Sequence, residues 1–574
     1  MGQVRNSEVA DLFTLVANLL DIQGANPFRV RAYRNAARVL ANESRSVAEM
    51  VDRDHELETL PGIGRDLAEK IAEIVHSGHL PLLQELEKKT PPSLVSLMKI
   101  PSLGPKRVRV LYEKLGVKNI DDLKEAAEAG KIRELPGFSE KSERHILEEI
   151  RKLRLRGAER MKWADAEEVV RELVPYLEDV EGVKRVTVAG SFRRKRETVG
   201  DLDILVACSK SSPVMERFIH YPEVGEIVSH GPTRSIVILR SGLQVDVRVV
   251  PEISYGAALV YFTGSKSHSI KMRGMAVKSG LKINEYGVYR GKRRIAGRTE
   301  EEVYRAVGLP YIEPELREDR GEIEAALKGR LPKLVEIGDI RGDLHSHTLA
   351  TDGANTLEGM AEAAKKLGYE YLAITDHSRH LTVAKGLDEE RLMQQIREID
   401  RLNEKLVGIV LLKAIEVDIL EDGELDLPDR VLRHLDLRVC SIHHRFGLSR
   451  EKQTERLIRA MDNPYFNILG HLTGRLINRR EGYDIDFERV FAAAKERGCF
   501  IEINSQPERL DADDTLCRQA KEMGLKFAIS SDAHSVESLK FMRFGVSQAR
   551  RGWIEADDVI NTRPLKELKR LLVR

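Results

Sequence analysis

Residues 190–205 have the sequence GSFRRKRETVGDLDIL, and this stretch decides the fold of the middle of the chain. Asp201 and Asp203 stand two positions apart in an apolar strand, so both carboxylates project from one face of that strand. Asp246, in the later run LQVDVRVV, offers a third acid from a second strand. Acids this close repel one another unless divalent cations lie between them. The pattern predicts an α+β sheet domain in which three carboxylates hold two Mg²⁺ or Mn²⁺ ions.

The alternative for the acidic pair alone is two side chains on a strand that faces solvent. The residues just before the pair argue against that interpretation. Gly190 and Ser191 precede a run of four basic residues at positions 193–196, next to the acids. We therefore favour a metal site.

The region before about residue 155 shows helical periodicity broken by short Gly/Pro turns and is predicted to be all-α. Three similar segments recur there: LPGIGRDLAEKI at 60–71, IPSLGPKRVRVL at 100–111 and LPGFSEKSERHI at 135–146. Such turns leave N–H groups at a helix N-terminus open to a phosphate oxygen. An ordinary helix–helix turn is the alternative for any one copy, especially the third, which lacks the second glycine. Three copies together favour contacts to a nucleic-acid backbone.

The segment that starts near residue 337 alternates short apolar runs with amphipathic helices, which predicts a parallel sheet or barrel of βα units. Seven runs can be counted: GDLHSH, YLAITDH, IVLLKAIEVDI, DLRVCSIHH, FNILGHL, CFIEINS and KFAISSDAH. Histidines and acids cluster at their C-terminal ends, and barrel strands converge there on one mouth. The candidate ligands are His345, His347, Asp352, His377, Glu416, one histidine of SIHH, His471, Asp532 and His534.

These nine candidates are nitrogen and oxygen ligands, without a thiolate. Such a set suits two or three Zn²⁺, Mn²⁺ or Fe²⁺ ions better than one closed structural zinc. A lone histidine at a strand end is more often a buried core residue. Ligands at so many strand ends together favour a metal cluster.

The composition limits the class of protein. A chain of 574 residues suggests about four domains. The chain has 93 basic and 92 acidic residues, but this total combines surfaces that have different functions. The net charge therefore says little about a DNA partner. Four scattered cysteines without a C-x-x-C pair indicate neither a disulfide framework nor a thiolate zinc site. We see no signal-peptide pattern and no apolar run near 18 residues, so we expect a monomeric, cytoplasmic protein without a membrane span.

Residues 1–318 resemble the family X DNA polymerases. The resemblance rests on GSFRR…GDLDIL, on the later motifs YFTGS and NEYG, and on the closing GLPYIEPELRE. It implies a polymerase that fills short gaps in primer–template DNA during base excision repair, with dNTPs as substrates and no sequence preference. By the same resemblance Asp201 and Asp203 hold both metals, and Asp246 assists the primer 3′-hydroxyl.

The resemblance also implies contacts to nucleotide and DNA. The nucleotide contacts are Ser191, Arg194, Gly200 and Arg160 at the triphosphate, Tyr261, Phe262 and Gly264 near the sugar, and Arg273 toward the template strand. The DNA contacts are Gly62, Gly64, Ser102, Gly104, Tyr33 and Arg34. Lys70, which spacing alone would make a solvated helix lysine, aligns with the lysine that forms a Schiff base in 5′-deoxyribose-phosphate lyases.

Two positions depart from the family pattern. Ser269 stands where the family usually has an Asn at the base edge, which bears on fidelity, and Phe28 replaces a basic or His residue near the lyase phosphate pocket.

Residues 337–574 resemble the PHP (polymerase and histidinol phosphatase) domain, a distorted seven-stranded barrel with a trinuclear metal site. The resemblance selects His443 as the ligand within SIHH and suggests Asn504 and Arg509 as substrate contacts. Fused to a family X polymerase, this domain implies a manganese-dependent 3′–5′ exonuclease, with apurinic-site endonuclease and 3′-phosphatase as further activities.

The two resemblances divide the chain into six parts. They are a helical lyase-type domain (1–85), helical fingers (86–157), a nucleotidyltransferase palm (158–252), a thumb (253–318), a linker (319–336) and the PHP barrel (337–574).

Two other functions compete with this interpretation. The barrel could be a structural or metal-storing module that only positions DNA, but that hypothesis would be favoured by lost ligands, and none is lost. A nucleotidyltransferase for RNA or small molecules is disfavoured by the repeated glycine turns and by YFTGS.

Overall fold

A computed structural model describes residues 6–43, 47–51, 56–98, 100, 103–155, 160–208 and 212–573. The chain forms two compact units, residues 1–159 and 160–574. Ser102, one of the predicted DNA contacts, lies outside the described residues. The predicted fold class is confirmed: a helical first unit is followed by a second unit that contains an α+β sheet and a seven-stranded parallel barrel.

The described part of the first unit is helical throughout. Its helices are α1 (Asn6–Ile22), α2 (Pro27–Asn42), α3 (Val47–Val51), α4 (Arg65–Ser77), α5 (Pro81–Lys89), α6 (Leu94–Leu97), α7 (Pro105–Leu115), α8 (Ile120–Glu128) and α9 (Glu140–Leu155). Amphipathic spacing explains the packing, because α4 buries Leu67, Ile71 and Ile74 on one face. Gly78 ends α4 with a φ of +72°, a conformation that glycine adopts without strain.

The second unit begins with a part that contains the central sheet. Its elements are β1 (Met161–Lys162), α10 (Trp163–Glu178), β2 (Val183–Val188), α11 (Gly190–Arg193), β3 (Thr198–Val199), β4 (Asp201–Cys208), α12 (Val214–Ile219), β5 (Val224–Ser229), β6 (Arg234–Leu239) and β7 (Gln244–Val250). The central sheet has five strands in the order β2-β4-β7-β6-β5. Strands β4 and β7 are parallel neighbours, and Asp203 faces Asp246 in their register.

A smaller helical part with a three-stranded antiparallel sheet follows. It contains α13 (Tyr255–Thr263), α14 (Lys266–Lys278), β8 (Leu281–Asn284), β9 (Gly287–Arg290), β10 (Arg293–Ala296), α15 (Glu300–Ala306) and α16 (Glu322–Leu327). Helix α16 lies in the segment predicted as a linker. Its residues Ile323 and Ala326 are buried in the same apolar core as Tyr304, so this segment is packed rather than an exposed spacer.

The barrel has seven parallel strands that follow one another in chain order, as the seven apolar runs predict. They are β11 (Gly342–Asp343), β12 (Tyr371–Ile374), β13 (Val410–Asp418), β14 (Leu437–Ser441), β15 (Ile468–Leu469), β16 (Phe500–Asn504) and β17 (Phe527–Ser530). A parallel bridge between Ser346 and Ala533 joins the first strand region to the last, which nearly closes the barrel.

The barrel strands bury apolar side chains on both faces, and helices cover the outside. The helices are α17 (Leu357–Lys366), α18 (Glu389–Asn403), α19 (Asp429–Leu432), α20 (Arg450–Met461), α21 (Phe487–Glu496), α22 (Asp514–Glu522), α23 (Met542–Arg551) and α24 (Leu565–Leu571). Among the residues that the structure describes, no helix has the length and apolar character needed to cross a bilayer. Within the described residues the four cysteines form no disulfide bond.

Candidate functional site

Asp201, Asp203 and Asp246 lie together at the edge of the central sheet, and we call them the carboxylate site. Asp201 and Asp203 share one face of β4, and Asp246 stands opposite Asp203 on β7. Burial, together with the charges of the other two acids, raises the pKa of Asp203 to about 7. Three carboxylates this crowded favour a bound divalent cation, which would offset their repulsion.

Two arginines that the sequence did not single out hold Asp246. Arg234 Nη2 lies 2.7 Å and Arg248 Nη2 lies 3.0 Å from Asp246 Oδ2. Arg248 stands two residues after Asp246, so strand alternation could have placed it on the same face. Arg234 comes from β6, and its position depends on the register between β6 and β7, which no local pattern encodes.

A cavity of about 640 Å³ opens beside the carboxylate site, and we call it the central cavity. Basic, aromatic and small polar residues line it: Arg160, Gly190, Ser191, Arg194, Arg196, Asp201, Asp203, Tyr261, Phe262, Gly264, Lys266, Ser269 and Arg273. The predicted nucleotide contacts are thus brought together, except that Gly200 is not part of the wall. A Cβ on Gly200 would lie 2.9 Å from Arg160 Nη1, so this glycine leaves room for the Arg160 guanidinium.

The four basic side chains at positions 193–196 make different contacts. Arg193 forms an ion pair with Glu300 at 2.6 Å, and the Lys195 ammonium lies over the ring of Trp163, 4.1 Å from its centroid. These two side chains are structural, and only Arg194 and Arg196 line the central cavity. Lys195 adopts a φ of +56°, and a backbone turn of this kind sends neighbouring side chains in different directions. Sequence alone could not separate the four.

The glycine turns of the helical unit are open on the side that a phosphate would approach. Gly64 and Gly104 cap α4 and α7, and a Cβ on either would meet nothing within 4 Å. Gly62 has a φ of +81°, which favours glycine. A Cβ on Gly137 of the third turn would also meet nothing within 4 Å, but there Arg107 Nη2 donates a hydrogen bond to the Gly137 carbonyl at 3.0 Å. That contact fits a structural role for the third copy.

Lys70 lies on α4 beside an acidic neighbour. Lys70 Nζ donates to the Asp66 carboxylate at 2.5 Å, and its side chain is 18% exposed. Tyr33 of α2 is buried and packs edge-on against Phe13 of α1. Its side chain therefore supports the fold of the helical unit and does not lie open to DNA. Arg34 forms an ion pair with Asp21 at 2.6 Å.

The barrel mouth gathers the nine predicted ligands, and we call this set the barrel site. Its members are His345, His347, Asp352, His377, Glu416, His443, His471, Asp532 and His534. Eight of them fall into three groups whose ligand atoms lie within 4.8 Å of one another: His347, Asp352, His377 and His534; His345, His347 and Asp532; and His377, Glu416 and His443. The ninth, His471, places Nε2 3.0 Å from Glu416 Oε1. Three groups are the arrangement that three ions would need.

In the barrel site, protonated histidines balance the negative charges of the carboxylates. Burial works against the charged form of His377, but the Glu416 and Asp352 carboxylates outweigh it and raise the pKa of His377 to about 10. Glu416 likewise raises the pKa of His443 to about 9 against burial. The same histidines hold the pKa of Glu416 well below its usual range, although burial opposes this. His347 is the exception, because burial and the neighbouring His377 and His534 lower its pKa to about 4.

Acids and an amide behind the barrel site orient its ligands. Glu502 Oε1 lies 2.7 Å from His345 Nδ1, and Glu502 Oε2 accepts a hydrogen bond from the backbone N–H of His471. Asn504, suggested as a substrate contact, is fully buried and donates to the Asp532 carboxylate at 3.0 Å. In this structure Asn504 therefore orients a ligand of the barrel site.

Asp418 orients the imidazole of His443, whose Nδ1 lies 3.1 Å from Asp418 Oδ1. Sequence missed both Asp418 and Glu502. Each stands two residues from a residue of interest on the same strand face, and that spacing is the signal that could have found them.

The donor set of the barrel site fits divalent cations. Several buried imidazole nitrogens approach carboxylates without forming a well-aligned hydrogen bond or lack a hydrogen bond among the described residues, namely His345 Nε2, both nitrogens of His347, His377 Nδ1 and His471 Nδ1. Buried polar atoms are rarely left unsatisfied, and an imidazole nitrogen that has lost its proton can donate its lone pair to a metal ion. The donor set is therefore suited to metal binding.

Models of known families match most of the described chain. They are a helix-hairpin-helix domain at residues 4–80, a SAM-like helix-hairpin-helix tandem at 94–152, the DNA polymerase beta palm at 160–231, the DNA polymerase beta thumb at 258–318 and the PHP domain at 343–506. These matches define the class: a polymerase-beta-type palm and thumb joined to a PHP domain.

Curated relatives narrow the class. "DNA polymerase/3'-5' exonuclease PolX" of Bacillus subtilis (strain 168) is 39% identical over 576 residues, which covers 100% of both chains. A "Probable phosphatase" of Thermoanaerobacter sp. (strain X514) is 35% identical over 231 residues, 38% of this chain and 89% of that protein. The chain belongs to the family X DNA polymerases that carry a C-terminal PHP domain.

Proposed function

We propose that the protein is a DNA-directed DNA polymerase that fills short gaps in DNA repair, with a PHP-domain 3′–5′ exonuclease in the same chain. One observation carries the proposal: the carboxylate site opens on a basic cavity of about 640 Å³, while a separate barrel site gathers nine metal ligands. The full-length relative named as a polymerase and exonuclease supports both halves. A barrel that is only structural is not favoured, since its buried imidazoles keep free ligand positions.

At the carboxylate site Asp201 and Asp203 would hold two Mg²⁺ or Mn²⁺ ions, with Asp246 beside the primer 3′-hydroxyl. Bound divalent cations supply Lewis acidity to the attacking hydroxyl and to the leaving pyrophosphate. Arg194 and Arg160 would bind the triphosphate of the dNTP, with Ser191 and Gly200 at the same turn. Tyr261 and Phe262, whose rings are 5.0 Å apart, would lie against the sugar with Gly264, and Arg273 toward the template.

At the barrel site the nine ligands would hold up to three Mn²⁺, Zn²⁺ or Fe²⁺ ions, which supply Lewis acidity to water and to phosphate oxygens when bound. Glu502 and Asp418 would keep His345 and His443 turned so that Nε2 faces the ions.

The partner is gapped or primer–template DNA without sequence preference, held by the turns at Gly62, Gly64 and Gly104. We further propose a monomer with the six-part division given above; the separate family matches support that division.

Crossed variants test the two halves. Asp201→Ala with Asp203→Ala should abolish primer extension on gapped DNA and spare Mn²⁺-dependent hydrolysis of a 3′-labelled single strand. His345→Ala with His347→Ala should do the reverse. Extension that persists in the first variant would overturn the polymerase assignment, and hydrolysis that persists in the second would overturn the exonuclease assignment.

A second activity, 3′-phosphatase, is favoured by the barrel's match to proteins named as probable phosphatases. Release of inorganic phosphate from a 3′-phosphorylated primer, lost in the His345→Ala, His347→Ala variant, would support it. No release by the unmodified chain would exclude it.

We also propose Lys70 as the 5′-deoxyribose-phosphate lyase nucleophile, because it aligns with the family's lyase lysine within the matched helix-hairpin-helix domain at residues 4–80. Borohydride trapping on a 5′-deoxyribose-phosphate end tests this. A covalent adduct should form with the unmodified chain and disappear in Lys70→Ala, and an adduct that survives the substitution would contradict the assignment.

A further inference from the structure

Arg551, a residue of the barrel, is hydrogen-bonded to the turn that contains Arg194. Arg551, the last residue of α23, is 2% exposed at its side chain. Its Nη1 donates to the Arg194 carbonyl at 2.7 Å and lies 3.1 Å from Glu318 Oε1. Its Nη2 lies 2.5 Å from the Asp514 carboxylate. A barrel side chain therefore reaches the backbone of a residue that lines the central cavity.

Glu318 joins Arg551 to the Arg194 side chain as well. Glu318 Oε1 accepts from Arg194 Nε at 3.0 Å, and the same oxygen lies 3.1 Å from Arg551. Arg194 Nη1 donates to the Thr263 carbonyl at 2.5 Å. The guanidinium is thus held at two points, and Arg551 shares one of them.

The charges of this group leave Arg194 available to an anion. The buried acids Glu318 and Asp514 face four guanidinium groups, those of Arg194, Arg196, Arg320 and Arg551. Without Arg551, Glu318 would be neutralised mainly by Arg194, and less positive charge would face the central cavity.

A second contact from the same barrel helix supports the same turn. Phe544 of α23 meets the Trp163 ring edge-on at 5.3 Å, and Trp163 stacks on Phe192 at 5.2 Å. Trp163 Nε1 also donates to the Phe192 carbonyl at 2.9 Å. Helix α23 therefore supports α11 and the turn after it from both its start and its end.

We infer that Arg551 is a positioning residue for nucleotide binding, which holds Arg194 in the central cavity and keeps its charge free for the triphosphate. The inference rests on the proposed function, because it takes Arg194 as a triphosphate contact. It makes the barrel a part of the polymerase site's support, beyond its own hydrolytic role.

The test is steady-state primer extension on gapped DNA by the full chain, with kcat and KM for dNTP measured separately. Arg551→Met should raise the KM for dNTP about tenfold and change kcat less than about twofold. Hydrolysis at the barrel site should stay near the unmodified level. Arg551→Lys keeps the charge but not the fork, and should give an intermediate KM.

Arg543→Met is the matched control. Arg543 lies on the same helix and pairs with Glu167 of α10 at 2.6 Å, but among the described residues it forms no hydrogen bond or ion pair with Arg194 or Glu318. Its KM for dNTP should equal that of the unmodified chain.

Each outcome decides the matter. If Arg551→Met loses kcat and hydrolysis in parallel with an unchanged KM, the residue is merely structural and the inference is overturned. If Arg551→Met does not fold, Arg551→Lys decides, and a KM equal to that of Arg543→Met overturns the inference. Absence of extension by the unmodified chain overturns the proposed function as well, which distinguishes the two failures.

Discussion

The carboxylate site and the barrel site differ in how the negative charges of their crowded carboxylates are compensated. At the carboxylate site the three acids have no imidazole among them, and the pKa of Asp203 rises to about 7 because burial and its acidic neighbours disfavour the charged form. At the barrel site acids and imidazoles alternate, so the carboxylate of Glu416 stays ionised while the pKa of His377 rises to about 10.

This difference teaches what each site requires of a cation. The carboxylate site is strained by like charge until cations arrive, and its all-oxygen donors suit Mg²⁺ or Mn²⁺. The barrel site is already neutralised by protons, so a cation must displace them, and its imidazole donors suit Zn²⁺, Mn²⁺ or Fe²⁺. The two sites should therefore differ in their dependence on pH and on metal.

The largest expected effect comes from removing the central acid of each site. Asp203→Asn should lower primer extension by about 10³-fold or more, because lost metal binding removes several kcal/mol of transition-state stabilisation. Glu416→Gln should lower hydrolysis by a similar factor, because five imidazoles approach that carboxylate. Rates of both reactions in both variants check this. Loss of both activities in either variant would contradict the independence of the sites.

The next effect is the pH dependence of metal affinity. At pH 8 His377 and His443 are protonated before a cation binds, and the pKa of the ligand His345 is raised as well, so cation binding releases at least about two protons and the affinity falls at least about 100-fold for each unit that the pH falls. At the carboxylate site Asp203 is ionised above pH 7, so affinity is flat there and falls about tenfold per unit only below it.

Calorimetric titration in buffers of different ionisation enthalpy measures the protons released. The Asp203→Asn and Glu416→Gln variants isolate each site as the control for the other. Equal proton release at both sites would remove the contrast between them.

A smaller effect concerns the acid behind the barrel site. Glu502→Gln should weaken metal binding at the barrel site by about 10- to 100-fold, because the charged acceptor that orients His345 becomes a neutral amide. Metal content after dialysis, with primer extension as the internal control, measures this. Unchanged metal content would show that Glu502 serves only the fold.

The smallest effect should have the opposite sign. Arg234→Met removes a cation 2.7 Å from Asp246, so Mg²⁺ affinity at the carboxylate site should rise by a few fold, with the gain limited because the Arg234 side chain is 47% exposed. Mg²⁺ titration of primer extension measures it. Lower affinity in this variant would mean that Arg234 orients the carboxylate more than it competes with the cation.

Local periodicity was enough to predict much of the fold. The seven apolar runs became the seven barrel strands, and the glycine turns became helix caps at Gly64 and Gly104. Local spacing also placed Asp201 and Asp203 on one strand face. Sequence could not show that Arg193 and Lys195 turn away from the cavity that Arg194 lines, because a single backbone turn decides their directions.

The amino-acid sequence by itself determined the donor types at each site, since carboxylates two residues apart and histidines at strand ends are local properties. Only the tertiary structure decided which groups compensate which charges. The pairing of Arg234 with Asp246 depends on register between strands, and the reach of Arg551 to Arg194 depends on how α23 packs against α11. Contacts between residues hundreds of positions apart follow from packing and long-range geometry, which no short window of sequence contains.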